Sequence, residues 1–150
     1  MTAAEASVPA RFPHLLLDTH VLVWLMFGEA KLGKKAAKAI SLAARESRLV
    51  ISSITPWEIG VLVAKKRIYL HQDTMEWVRS AISLPGMMLA ALKPEIAIVS
   101  TCLPFEMHAD PADRILVATA RHLGATLVTA DRALLDLAGS GYFRAVDASR

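Results

Sequence analysis

Four carboxylates stand at the points where a predicted strand, or the loop after it, gives way to a helix. They are Asp18, Glu58, Asp113 and Asp131. In an open parallel α/β sheet these junctions meet at the carboxyl edge of the strands, which is where such sheets bind ligands. The chain could therefore bring together four acids that lie far apart in its sequence.

A cluster of this kind needs a cation, because neighbouring carboxylates raise each other's pKa and cannot all stay ionised unaided. An all-oxygen ligand set selects Mg²⁺ or Mn²⁺, and the five histidines and one cysteine show no zinc-binding spacing. Such a site suits phosphodiester hydrolysis, since a metal lowers the pKa of a bound water and a second metal about 4 Å away could steady the leaving oxygen. We therefore expect all four acids to be both metal ligands and catalytic groups, with the number of metals left open.

Helix capping is the alternative explanation, because Asp and Glu satisfy free N–H groups in the first turn of a helix. Asp110 directly precedes Pro111 and is a nearly ideal N-cap, so it is expected at most to assist from the rim of the site. Asp131 could cap the helix that follows it, and Glu58 could form a capping box with Thr55. Capping therefore competes with chemistry at these three positions.

Asp113 and Asp18 fit the capping explanation less well. Asp113 shares a helix face with the apolar Val117 and Ala120, and a carboxylate on an inward face is costly without a partner. Asp18 ends a strand of leucines and is expected to point into the crevice at the sheet edge. Two inward acids with no evident basic partner indicate that a cation supplies the missing charge.

An anionic substrate would also need cations to hold its phosphates. The candidates are Arg114, Arg132, Lys65, Lys66 and Arg67. Each could equally be ordinary solvated surface, and the formal net charge of +3 permits a nucleic-acid partner without demonstrating one. His20 and His108 lie near the acids and are expected to be structural or to face the substrate.

The elements that must position the acids alternate between strand and helix. Strands are predicted in HLLLD, RLVIS, MMLAAL, ATLVTA and, at an edge, YFRAVDA. Helices are predicted over 19–28, 32–47, 53–67, 73–84, 93–103, 110–124 and 131–138. This alternation with short turns predicts an α/β domain whose mainly parallel central sheet is flanked by helices.

The composition bounds the remaining questions. A chain of 150 residues fits one domain, and its 54% hydrophobic content and mean hydropathy of +0.39 predict an apolar interface with another copy or another protein. No apolar run reaches the about 20 residues that span a bilayer, and residues 1–13 lack the apolar stretch of a signal peptide, so we expect a disordered lead. The single cysteine, Cys102, suits a reducing cytoplasm and is expected to be buried and inert.

Four segments carry a resemblance to a known family. LLLDTHVLVW, SSITPWEIG, DPADRILVATA and LVTADRAL, in this order and spacing, resemble a PIN-domain protein. Within that family the chain is most similar to the toxin of VapBC-type bacterial toxin–antitoxin pairs. The likeness runs from Leu15 to Ala148, with no acid of the pattern missing, and departs from it mainly in the first thirteen residues.

This resemblance implies a PIN-like three-layer domain over residues 14–150, after the lead at 1–13. It implies a metal-dependent endoribonuclease that hydrolyses RNA phosphodiester bonds and uses clustered acids. Asp18 matches the acid that ends the first strand, Glu58 the acid of the WEI-type segment, Asp113 the acid of the DR pair, and Asp131 the acid after the fourth strand. It also implies a homodimer, inhibited by a cognate antitoxin that wraps the groove, and Asp110 is often acidic in this subgroup.

Two rival functions remain open from the residues alone. In the first, the acids only cap helices, and the protein is a non-catalytic RNA- or protein-binding module. In the second, Asp18 is the nucleophile of a small-molecule phosphotransferase, because DTH faintly resembles the start of haloacid-dehalogenase-like proteins. That family requires a second acid two residues on, where this chain has His20.

Overall fold

The computed structural model describes residues 12–108 and 110–150, and this part of the chain alternates five strands with seven helices. The strands are β1 Leu15–Leu17, β2 Leu49–Ser52, β3 Met87–Ala90, β4 Thr126–Thr129 and β5 Arg144–Asp147. The helices are α1 Thr19–Phe27, α2 Lys34–Arg45, α3 Ile54–Ala64, α4 Thr74–Ile82, α5 Pro94–Ser100, α6 Pro111–Leu123 and α7 Arg132–Ala138. The α/β class predicted from the alternation is confirmed.

The five strands form one sheet in the order β3-β2-β1-β4-β5, and every neighbouring pair is parallel. The short β1 lies in the centre, where Leu15 pairs with Leu49 of β2 on one side and with Thr126 of β4 on the other. Because the strands are parallel, the carboxyl ends of β1, β2 and β4 lie side by side. The helices that start there are α1, α3 and α7.

Helices cover both faces of the sheet, as a buried parallel sheet requires. Side chains alternate between faces along a strand, so Leu15 and Leu17 pack into one core with α1, α2 and α4. Leu16 points the other way and packs with Leu116 of α6 and Leu134 of α7. The expected three-layer arrangement of helices, sheet and helices is confirmed.

Two expectations about single side chains are wrong. Thr55 does not cap α3, because the helix already begins before it, at Ile54, whose N–H donates to the Ser52 hydroxyl at 3.1 Å. A capping box between Thr55 and Glu58 is therefore absent, and Thr55 is buried inside the helix. Cys102 is exposed, because it lies in the turn after α5, where its Sγ contacts the Ile98 carbonyl at 3.5 Å.

Of the predicted N-terminal lead, the structure describes Phe12 and Pro13. Residues 1–11 lie outside the described part of the chain. The last two residues of the lead contact Arg48, which donates to the Pro13 carbonyl at 2.8 Å and lies over the Phe12 ring. Among the described helices, none has the length and apolar character needed to cross a bilayer.

Candidate active site

Asp18 occupies the centre of the carboxyl edge, between the end of β1 and the start of α1. Its Oδ1 accepts the Thr19 N–H at 2.7 Å, and its Oδ2 accepts the Thr129 hydroxyl at 2.7 Å from the end of the neighbouring β4. Only 4% of the residue is exposed. Burial raises the pKa of Asp18 above its ordinary value, the nearby His20 and these two donors oppose the rise, and Asp131 adds to it.

Glu58 reaches the same region from α3. Its Oε1 accepts the Thr19 hydroxyl at 2.5 Å, and that hydroxyl also lies 3.1 Å from the Thr55 Oγ1. Burial raises the pKa of Glu58 to about 7, and repulsion from Asp18, Asp113 and Asp110 adds to the rise. Burial is the main cause, and the repulsion shows that the other acids lie close enough to act on the Glu58 carboxylate.

Asp113 projects from the first turn of α6 on its inward side. Val117 and Ala120, which share this helix face, are fully buried, as the spacing predicted. The Asp113 carboxylate contacts the His108 Nε2 at 2.6 Å and is 14% exposed. Burial, followed by repulsion from Asp18 and Asp110, raises the pKa of Asp113 to about 6, although the His108 bond opposes this rise. The same bond raises the pKa of His108.

Asp110 and Asp131 both cap helices, which was expected for Asp110 and left open for Asp131. Asp110 accepts the Ala112 N–H at 2.9 Å at the start of α6, and Asp131 accepts the Leu134 N–H at 3.2 Å at the start of α7. The two acids also act on their neighbours, because Asp110 raises the pKa of Glu58 and Asp131 raises that of Asp18. Capping and membership of an acidic cluster are therefore compatible at these positions.

The predicted acids thus lie close enough to affect one another's pKa values, but only some of them are within a few ångströms of each other. Among the described residues, only His108, Asp110 and Asp113 offer possible ligand atoms that all lie within 4.8 Å of one another. Asp18 and Glu58 are linked to this trio through charge repulsion, and Asp131 is linked to it through Asp18. Within the described ranges no Lys or Arg pairs with any of these five acids.

Two threonines hold the acids together and were not singled out from the sequence. Thr19 connects the start of α1 to Glu58, while Thr129 donates to Asp18 and accepts the Asp131 N–H at 3.0 Å. The available signal was adjacency, because Thr19 directly follows one predicted acid and Thr129 precedes another by two residues. Their partners, however, lie far away in the chain.

The predicted RNA-contacting cations are dispersed. Arg114 donates to the backbone carbonyls of Ser100, Met107 and His108, so its guanidinium holds the loop between α5 and α6. Arg132 is exposed and lies 3.8 Å from an Asp147 carboxylate oxygen. The remaining three lie exposed just past the end of α3 and are called the basic cluster here: Lys65, Lys66 and Arg67. Along the helix this cluster lies roughly 10 Å beyond Glu58.

Comparison with known proteins adds similarities to a family model, to a curated relative and to solved structures. The family model described as PIN domain matches residues 15–140. The chain is 32% identical over 120 residues to Ribonuclease VapC22 of Mycobacterium tuberculosis, which covers 80% of this chain and 88% of that protein.

Two solved structures share the fold. One is a toxin-antitoxin complex from Klebsiella pneumoniae, with 26% identity, a TM-score of 0.57 and coverage of 88% of this chain and 95% of that one. The other is VapBC2 from Rickettsia felis bound to a DNA fragment from its promoter, with a TM-score of 0.63 and coverage of 89% and 97%. At 14% identity, the second likeness concerns the fold alone.

Proposed function

The chain belongs to the PIN-domain family, and from this premise we propose that it is a metal-dependent endoribonuclease acting as the toxin of a toxin–antitoxin pair. One observation carries the proposal. Buried or half-buried carboxylates from β1, α3 and α6 converge at the carboxyl edge of the sheet, and among the described residues none has a Lys or Arg partner. Asp18 and Asp113 have only histidine neighbours, His20 and His108, and the acids also repel one another. Structural acids that are buried are normally paired with a cationic side chain.

The donor set fits a divalent cation. Asp18, Glu58, Asp113 and Asp131 would hold it, with Asp110 assisting from the rim. Carboxylate oxygens select a hard ion, so Mg²⁺ is the proposed cofactor, with Mn²⁺ able to replace it. The pKa values of about 7 for Glu58 and about 6 for Asp113 support this assignment, because a dication would remove the repulsion that contributes to them.

The reaction proposed is hydrolysis, in which water attacks a phosphorus of RNA and the bond to one bridging oxygen breaks. A bound dication would supply charge neutralisation and an acidified water. The chain itself contributes orientation, because the Thr129 hydroxyl donates to Asp18 Oδ2 and the Thr19 hydroxyl donates to Glu58 Oε1. Both Asp18 oxygens already accept hydrogen bonds in a buried position, which disfavours the rival role of Asp18 as a phosphorylated nucleophile.

Substrate binding requires cations near this edge. Arg132 is exposed at the start of α7, at this edge, and is proposed to contact an RNA phosphate there. The exposed basic cluster lies at the far end of α3, roughly 10 Å beyond Glu58, and is proposed to contact phosphates farther along the RNA. Arg114 is a candidate for the same task, but its three bonds to backbone carbonyls favour a role in holding the loop that carries His108. We therefore propose a smaller role for Arg114 in binding RNA phosphates than for the other cations.

The proposed partners are a cognate antitoxin and a second copy of the chain, in the cytoplasm. The relatives support this, because one is named a VapC ribonuclease and another was solved as a toxin-antitoxin complex. Exposed apolar side chains on several elements are consistent with such interfaces, including Trp57 at 56%, Ile98 at 66% and Met88 at 46% exposure.

A non-catalytic binding module is the second candidate, because Asp110 and Asp131 do cap helices and Asp18 accepts an N–H at the start of α1. Capping does not account for Glu58 or Asp113, whose carboxylates accept no backbone N–H in the described structure. Substitutions of Glu58 and Asp113 therefore distinguish the metal-dependent ribonuclease from the binding module.

RNA cleavage by the purified protein, with Mg²⁺ or with a chelator, tests the proposal. Asp113→Asn keeps the shape and removes one charge, and Asp136→Asn changes an acid on α7 outside the cluster as a matched control. We expect the wild-type protein to cleave RNA and the chelator to stop this cleavage. Asp136→Asn should cleave as wild type does. Asp113→Asn should lose more activity than the about 10–100-fold that is lost when an outer partner of a metal ligand is removed. RNA binding without cleavage under any metal condition would favour the binding module, and full activity of Asp113→Asn would overturn the ligand assignment.

A further inference from the structure

His20 lies between the two acid-bearing turns at the ends of β1 and β4. On one side its Nε2 accepts the Ala130 N–H at 3.0 Å. On the other side its Nδ1 lies 3.4 Å from the Asp18 Oδ2. The Trp24 ring, one helical turn along α1, packs edge-on against the imidazole with 5.1 Å between ring centroids. The ring is therefore held on three sides.

These partners define the protonation of the ring. A backbone N–H can only donate, so the Nε2 that receives it carries no hydrogen, and the proton of the imidazole lies on Nδ1, toward Asp18. A neutral histidine in this tautomer has one acceptor, which faces the Ala130 N–H, and one donor, which is on the side of the Asp18 carboxylate.

The turn that His20 holds is the one that carries Asp131. The β1–β4 pairing ends at Leu17 and Val128, and past that point the Asp18 N–H bonds the Val128 carbonyl at 3.0 Å. Beyond it the turn depends on side chains. Thr129 accepts the Asp131 N–H, and His20 accepts the N–H of the preceding residue, Ala130.

We propose that His20 is a positioning residue that ties the Asp131 turn to the start of α1, by accepting the Ala130 N–H while its Nδ1 faces the Asp18 Oδ2 at 3.4 Å. The inference rests on the proposed metal site for its functional consequence, since the separation of the two acids would then determine cation affinity. The hydrogen-bonding role itself does not depend on any metal. Outer partners that orient ligating groups commonly affect affinity about 10–100-fold.

Three substitutions separate the two halves of this role. His20→Gln places an amide oxygen near the Nε2 position and so retains an acceptor for the Ala130 N–H. His20→Asn retains only a donor near the Nδ1 position. His20→Ala removes both groups. His71→Ala changes an exposed histidine in a distant loop and serves as the control. Two quantities are measured on each purified protein: Mn²⁺ affinity by calorimetry, and the exchange rate of the Ala130 amide in the metal-free state by NMR.

We expect His20→Ala and His20→Asn to bind Mn²⁺ about 10-fold more weakly or worse and to exchange the Ala130 amide severalfold faster. His20→Gln should restore slow exchange and recover most of the affinity, and the control should match wild type. Unchanged exchange at Ala130 in His20→Ala would overturn the inference, as would wild-type affinity in that variant. If the wild-type protein bound no Mn²⁺, the proposed metal-dependent function would fail, while the exchange rates would still decide whether His20 holds the turn.

Discussion

Glu58→Gln is expected to stabilise the metal-free protein at alkaline pH. The substitution keeps an oxygen that can accept the Thr19 hydroxyl and removes a charge from the acidic cluster. A carboxyl whose pKa is higher in the folded than in the unfolded chain destabilises the fold wherever the unfolded group is ionised. For Glu58 this penalty is absent below about pH 4.5, grows between pH 4.5 and about 7, and is fully present above pH 7.

The size of the effect follows from the shift in pKa. A rise from 4.5 to about 7 corresponds to about 3 kcal/mol at most. Glu58 is only partly buried, so solvent screening reduces the expected gain to about 1–2 kcal/mol. For a domain of this size, that gain raises Tm by about 3–6 °C.

The assay is thermal melting of chelator-treated protein from pH 5 to pH 8.5, with Glu95→Gln, an exposed glutamate on α5, as the matched control. We expect wild-type Tm to fall as the pH rises through this range, and Glu58→Gln to flatten much of that slope. At pH 5 the two proteins should differ little. Glu95→Gln should follow wild type throughout.

Saturating Mg²⁺ or Mn²⁺ should reverse the order of stability at pH 8, because the wild-type cluster then gains binding free energy that the variant largely lacks. A variant that is less stable than wild type at pH 8 without metal, or that keeps the full wild-type pH slope, would refute the account of Glu58 as an uncompensated charge.

Three further outcomes are expected. Thr129→Val removes the hydroxyl that serves Asp18 and the following turn, so the free energy of unfolding should fall by about 1–3 kcal/mol in denaturant titrations, whereas Thr129→Ser should lose much less. Arg114→Ala releases three backbone carbonyls, so amide exchange across residues 100–108 should accelerate while that of the β1–β4 core stays unchanged, and Arg114→Lys should not restore it. Replacing the basic cluster by alanine should weaken RNA binding similarly for all RNA sequences. The slope of log affinity against log salt concentration should fall by about 0.7 for each RNA phosphate that the variant no longer neutralises. An unchanged slope would show that the cluster does not contact RNA.

Most of the fold could be predicted from local patterns. Each predicted strand and helix is present, because apolar periodicity and the Asp110 and Gly124 caps of α6 act over a few residues. The errors are also local. Thr55 lies inside α3 instead of capping it, because the helix already begins at Ile54, whose N–H bonds the Ser52 hydroxyl. Cys102 is exposed, because an apolar stretch does not reveal which side of its last turn faces solvent.

The candidate acids could be predicted for the same reason. In a parallel sheet each strand-to-helix junction lies at the same edge, so Asp18 and the acids after β2 and β4 belong together once the alternation is recognised. Asp113 followed from its inward helix face. The sequence by itself thus determined the order of the elements, their class and the types of residue brought to the edge, since all of these follow from short-range spacing.

Only the tertiary structure decided which group holds which acid. Thr129 and Asp18 are 111 positions apart, and Ala130 and His20 are 110 apart, yet both pairs are hydrogen-bonded. They meet because β4 lies beside β1 in the sheet, and strand order depends on the packing of all the helices together. Local periodicity encodes which face of an element is buried, but it carries no information about which strand becomes its neighbour.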